Sequence, residues 1–150
     1  MNIIESLPVQ KFCSAPLNTF DYLEQRALDK PEHLALHLSG NSVTYQQLYQ
    51  DVMRVTSALE SLVSQAATPV VAVGHMHPQL HLLLLLACEN LGVVTLSFQG
   101  AGSFQMANLP SKIDLILLDE PYALPKTLTT RTELLDIKWF KQTIALSNEV

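Results

Sequence analysis

The sequence predicts an α/β fold, a mostly parallel sheet with helices flanking it. Three observations lead there. Apolar runs and amphipathic stretches alternate in the order strand, helix, strand, helix, strand, the signature of a parallel sheet joined by right-handed crossovers. The runs are continuous and rich in β-branched residues, as in strands covered on both faces. Hydrophobic residues make up 48% of the 150 residues and charged residues only 15%, against roughly 25% charged in an ordinary soluble domain. That balance excludes a disordered tail, which needs the opposite composition. It also predicts a folded surface that is greasy for a lone monomer.

The elements follow in chain order. Met1 to Leu17 has two prolines and no period, and reads as an extended lead-in. Asn18 or Thr19 can cap a short helix from Phe20 to about Leu28, with Phe20, Leu23, Ala27 and Leu28 on one face and Lys30-Pro31 closing it. The alternation over Leu34–Leu38, the turn Ser39-Gly40-Asn41-Ser42 and then Val43 signal a strand and hairpin. Thr44-Tyr45-Gln46-Gln47 matches a capping box. Behind it, Leu48, Val52, Val55, Leu59 and Leu62 form one helical stripe, placing a helix at about 45–64.

Pro69 opens the β-branched run Val70–Gly74. Pro78 starts a helix from Gln79 to about Leu91 that is apolar nearly all round, hence buried on more than one side. Gly92 stops it, and Val93–Phe98 is a second buried strand. Gly100-Ala101-Gly102-Ser103 is a turn, and Ile113–Leu118 a third strand ending at Asp119-Glu120-Pro121. From Pro121 to Thr132 the chain is rich in Pro and Thr and shows no period. A last amphipathic stretch, Glu133 to about Ile144, carries Leu134, Ile137, Trp139 and Phe140. Three segments result: a lead-in over 1–17, an α/β unit over 18–120, and a connection with an incomplete terminal helix over 121–150.

Several function classes drop out. The net charge of −5 gives no electrostatic footprint for nucleic acid and no polybasic cluster for a membrane surface. Cys13 and Cys88 are too far apart in sequence for a zinc spacing and too few for a disulfide framework. Cys88 reads as a small buried hydrophobe. The N-terminus has no cationic start, and the longest apolar run, Leu82–Cys88, falls far short of the about 20 residues that span a bilayer. A reduced cytoplasmic setting is the expectation.

Asn18 to Phe98 resembles the N-terminal stretch of the adenylate-forming superfamily, which comprises acyl- and aryl-CoA ligases, adenylation domains of peptide synthetases, and luciferases. Four features carry the resemblance in order. A short helix ends in Asp29-Lys30-Pro31-Glu32 before the strand Leu34–Leu38. Gly40-Asn41-Ser42-Val43-Thr44-Tyr45-Gln46-Gln47-Leu48 is similar to the first core motif, a turn followed by Leu-Thr-Tyr-x-Glu-Leu. Val70–Val73 matches the next buried strand, and Ala87–Ser97 resembles the second core motif, a helix ending in Ala-Gly before an apolar strand. Gln47 stands in place of the usual acid, Ser97 in place of the usual proline, and the stretch from Phe98 to Ile113 is shorter than usual.

The resemblance implies an ATP-dependent carboxylic acid–AMP ligase in the complete protein. A carboxylate attacks the α-phosphorus of ATP, giving an acyl-adenylate and pyrophosphate, with magnesium offsetting phosphate charge. The thiol of coenzyme A or of a carrier protein then takes the acyl group. The family's phosphate loop, adenine clamp, ribose-binding aspartate and C-terminal lysine have no counterparts in these residues. This segment is therefore expected to hold no catalytic, cofactor-binding or metal residue, and to need the remainder of its own domain as partner. The rival reading is a non-catalytic α/β interaction module whose apolar surface seeks a partner.

Four constellations are candidates for chemistry of their own. His75, His77 and His81 lie between a strand and a helix, and neutral imidazoles there could bind zinc; with no carboxylate or thiolate adjacent in sequence, a polar turn with incidental histidines is the preferred reading. Gly100 and Gly102 follow a strand as a phosphate loop would, but lack the third glycine and a lysine, so a turn is preferred. Asp114, Asp119 and Glu120 cluster around a strand whose C-terminal end is where open α/β sheets bind ligands; a solvated strand exit before Pro121 is preferred. Tyr45 reads as packing.

Overall fold

The computed structural model describes residues 18–38, 40–63, 69–98, 113–120 and 130–144. The expected lead-in, the Gly100–Ser103 turn and most of the Pro/Thr-rich stretch lie outside these residues. Helix α1 spans Thr19–Asp29, with the Asn18 carboxamide accepting from the Asp21 amide at 2.9 Å. This is the expected cap. Phe20 and Leu23 are buried, but Leu28 is 79% exposed and leaves the apolar face the sequence suggested. Strands β1 (Leu34–Leu38) and β2 (Asn41–Thr44) pair antiparallel around Gly40, whose φ of +75° favours glycine.

Helix α2 runs Tyr45–Glu60. Thr44 Oγ1 accepts from the Gln47 amide at 3.2 Å, which is the hydroxyl half of the capping box. Leu48, Val52, Val55 and Leu59 are buried, and the helix stops before Leu62, which packs half-buried just beyond it. Strand β3 (Val70–Gly74) leads into α3 (Pro78–Asn90), which returns to β4 (Val94–Ser97). Strand β5 is Leu115–Leu118. With Thr132–Leu134 as β6, the sheet among the described residues runs β4-β3-β5-β6, parallel throughout.

The side-chain alternation of the strands separates two apolar layers. Val71, Val73, Leu115 and Leu117 join the helical core, while Ala72, Ile116, Leu118 and Phe98 pack on the other face. All are buried. A near-continuous apolar run is what a centre strand buried on both faces requires. Helix α3 packs against α1, α2, β3 and β4 and buries Gln79, Leu80, Leu83, Leu84, Leu86, Ala87 and Cys88. Burial pushes the Cys88 thiol up to about 12, so it is inert packing at neutral pH. Polar ties hold the helices in place: Glu89 accepts from the Thr19 amide, and Asn90 donates to Thr56 Oγ1 at 3.3 Å.

The C-terminal part departs from the sequence expectation. Thr132–Leu134 forms β6, paired with β5, where the sequence suggested an unstructured approach and a helix from Glu133. Helix α4 begins only at Ile137 and runs to Ile144, with Asp136 Oδ1 accepting from the Trp139 amide at 2.9 Å. A three-residue strand is too short to show a period, and Glu133 mimics a helical start. The buried residues are Leu135, Phe140 and Ile144; Leu134 and Ile137 face out. Among the described residues the large exposed hydrophobic side chains include Tyr22, Leu28, Leu34, Met76, Val94 and Leu134.

Candidate functional site

The chain leaves β3 through α3 to reach β4 on one side, then returns to β5 on the other side of β3. Connections that diverge in this way open a crevice at the C-terminal ends of the strands. A cavity of about 610 Å³ lies there, between the β3–α3 turn and the start of α4, with Met76, His77, Asp119, Asp136 and Lys138 in its wall. A second, of about 410 Å³, lies on the other side of the same turn, between Met76, Pro78, Leu82, Leu85, His81 and Ser97.

His75 lines both cavities and is 5% exposed. Its Nδ1 accepts from the His77 amide at 3.1 Å, so its proton sits on Nε2, which donates to the Leu135 carbonyl at 3.1 Å. The edge of the ring meets Phe140, with centroids 5.5 Å apart. Asp119 Oδ2 lies 4.0 Å from Nδ1 and accepts from the Met76 amide at 3.0 Å. Burial lowers the imidazole's affinity for a proton more than the Asp119 charge raises it, and the ring is held neutral. It ties the β3–α3 turn to the β6–α4 turn.

The other two histidines have separate tasks. His77 caps α3, its Nδ1 accepting from the Leu80 amide at 3.4 Å. His81 bonds the His75 backbone and Ser97. The three rings therefore share no ligand point, and no group of three metal-binding side chains forms among the described residues. Asp114 and Asp119 stand at opposite ends of β5, roughly 16 Å apart along an extended strand, so they are not a carboxylate pair. Asp114 Oδ2 accepts from the Val70 amide at 2.8 Å, an anchor rather than the solvated exit expected. Glu120 is exposed. Tyr45 packs half-buried against the core. Gly100 and Gly102 lie outside the described residues.

Sequence reasoning did not find the His75–Leu135 tie or the His81–Ser97 pair. The only advance signal was the departure at Ser97. Nothing in the spacing of residues 75, 97 and 135 announces that a parallel sheet brings their ends together.

No family model matches the chain. In Staphylococcus aureus strain MRSA252, a protein named as the long-chain fatty acid-CoA ligase VraA is 35% identical over 80 residues, which is 53% of this chain and 17% of that protein. The VraA of strain COL is 34% identical over the same shares. The match thus spans about a sixth of those ligases. Among solved structures, the N-terminal subdomain of Klebsiella oxytoca NpsA superposes with a TM-score of 0.63 at 14% identity, over 87% of this chain and 33% of that one. The O-succinylbenzoate coenzyme A synthetase MenE of Bacillus subtilis, solved with AMP, gives 0.60 at 18% identity, over 84% and 32%. The sequence match and the shared fold agree with the resemblance drawn from the motifs. Over 80 residues the chain is similar in sequence to an acyl-CoA ligase, and it shares its fold with the N-terminal subdomain of NpsA and with part of MenE.

Proposed function

We propose that this chain is the N-terminal α/β portion of an AMP-forming carboxylic acid–thiol ligase, and that it acts as scaffold rather than as catalyst. The observation that carries this reading is the 35% identity over 80 residues to a ligase of which they make up 17%. The matching motifs are strands, turns and caps, whose work here is packing: Val43 and Leu48 are buried, Thr44 caps α2, and Val71 to Val73 form the sheet centre. In this reading residues 18–120 are the subdomain proper, 1–17 its lead-in, and 121–150 the passage toward the rest of the domain.

The complete protein would join a carboxylic acid to AMP with ATP and magnesium, then pass the acyl group to coenzyme A or a carrier-protein thiol, in the cytoplasm. The residues described here do not fit the nucleotide. Asp114 and Asp119 are spent on backbone amides at opposite ends of a strand, Asp136 is spent on the Trp139 amide, and no group of three metal-binding side chains forms among the described residues. No ligase step is therefore assigned to this segment.

The test is pyrophosphate release by the purified chain with ATP, magnesium and a panel of fatty, aryl and amino acids. The expected result is release no faster than in the protein-free control. Acid-dependent release above it would overturn the scaffold reading. One observation favours a second reading, a non-catalytic interaction module: the outer strands β4 and β6 expose Val94 at 56% and Leu134 at 50%. A stable heterologous complex with a protein unrelated to ligases, seen by native mass spectrometry, would favour it.

A further inference from the structure

The contact between Ser97 and His81 is used by nothing in the ligase reading and stands independently of it. Ser97 is the last residue of β4; His81 lies in the second turn of α3. Ser97 Oγ is 2.6 Å from His81 Nε2. The other ring nitrogen, Nδ1, is 2.8 Å from the His75 carbonyl oxygen and 3.3 Å from the His75 amide nitrogen. A carbonyl oxygen can only accept, and it is the nearer of the two, so the ring proton sits on Nδ1. Nε2 is left as a bare lone pair, and the Ser97 hydroxyl donates to it.

That order of groups is nucleophile, base and orienting acceptor. The orienting acceptor is main chain at the exit of the sheet's central strand. Its position is fixed in turn by the buried His75 side chain, held between the Leu135 carbonyl and the His77 amide. The base is therefore held by the fold rather than by a free surface rotamer. Ser97 is exposed and sits on the cavity of about 410 Å³, whose walls include Met76, Pro78, Leu82 and Leu85. Phe98 and Val94 donate their amides toward β3, so the alternation turns the Ser97 amide to the other side of β4, which has no neighbouring strand among the described residues. A nucleophile's own amide is a donor available to an oxyanion forming on it. A proline at position 97 would have neither the hydroxyl nor the amide proton.

We propose that Ser97 and His81 form a nucleophile–base pair that takes the acyl group of an activated carboxylic ester whose apolar chain lies against Leu82 and Leu85. Ser97 Oγ bonds to the acyl carbonyl carbon while its proton passes to His81 Nε2. The bond from that carbon to the leaving oxygen breaks, and the departing alcohol takes the proton from His81. Water then attacks the acyl-Ser97 ester, giving its proton to His81. Ser97 leaves and recovers that proton, releasing the carboxylic acid.

The test treats the whole 150-residue chain with a fluorophosphonate, locates the adduct by mass spectrometry, and follows p-nitrophenyl octanoate by stopped flow. The expected result is one adduct, on Ser97, and a burst of p-nitrophenol before slow turnover. Ser97→Ala should abolish both. His81→Gln should slow labelling by at least about a hundredfold, the lower end of the range that a positioned general base supplies. His77→Asn keeps a capping side chain and should leave labelling unchanged. Melting curves identify any variant that has unfolded. For such a variant Ser97→Ala, which leaves the ring and backbone contacts in place, decides alone. No adduct, an adduct elsewhere, no burst, or Ser97 labelling that is the same in a folded His81→Gln variant would overturn the proposal.

Discussion

Helix α2 turns Leu48, Val52, Val55 and Leu59 inward, an arc of about 60° at 100° per residue. Helix α3, beside it, buries seven residues from Gln79 to Cys88, an arc of about 200° on the same arithmetic. Helix α3 lies on the parallel strands β3 and β4 as well as on α1 and α2, whereas α2 packs on α1, α3, α4 and the hairpin β1–β2. The width of each helix's apolar arc follows from the elements packed on it. A narrow stripe leaves most positions free to be polar; an arc of more than half the circumference leaves fewer than half.

The strongest way to break that comparison is alanine substitution around both circumferences. Leu84→Ala on α3 should lower unfolding free energy by about 2–5 kcal/mol, the range for buried leucines. Gln50→Ala on the open side of α2 should change it by less than about 0.5 kcal/mol. Urea denaturation measures both; equal effects would erase the distinction. Next in size is the far face of the sheet. A Cβ on Gly74 would run into the Phe98 ring, so Gly74→Ala should cost about 1–3 kcal/mol as overpacking. Adding Phe98→Leu should recover part of that loss, and a double variant no more stable than Gly74→Ala alone would count against the packing described.

The helices also differ in how they respond to pH. On α2, burial raises the Asp51 carboxyl to about 6, against a smaller opposing pull from Arg54 at 3.7 Å. The folded chain binds that proton more tightly than the unfolded one, so this group's contribution to stability falls as pH rises from about 4 to about 6 and stays low above. Asp51→Asn should therefore stabilise the protein at pH 8, by on the order of 1 kcal/mol, and much less at pH 4. At the entry of α3, His75 has the opposite sign. Its folded proton affinity is lowered mainly by burial, so the unfolded chain protonates first. Its contribution is complete above its ordinary value near 6.5 and is lost as pH falls below that. Thermal melts from pH 4 to 8 on the parent and Asp51→Asn chains separate the two. Thr44→Ala should cost about 1 kcal/mol from the lost cap of α2, read by urea denaturation.

Much of this architecture is legible in the sequence because it is repeated in several signals at once. Pro69 before Val70–Gly74, Pro78 opening α3 and Gly92 closing it bound elements whose apolar content already says they are buried. The stripe of α2 is legible for the same reason. What escaped was short or depended on distant partners. Strand β6 has three residues and exists through its bonds to β5. Leu28 lies about 80° round α1 from Phe20 and about 140° from Leu23, off the arc that those two bury, and it is exposed. The candidate site was the least legible. Asp114, Asp119 and the three histidines were visible as residue types, yet their tasks follow from backbone atoms of Val70, Met76, Leu80 and Leu135, which carry no mark in the sequence.

Calorimetric titration of magnesium-ATP into the purified chain tests the scaffold assignment most directly. The predicted result is no saturable heat up to millimolar nucleotide, with the thermal midpoint unmoved. Saturable binding in the micromolar range would mean that these residues build a nucleotide site of their own, and the assignment would fall.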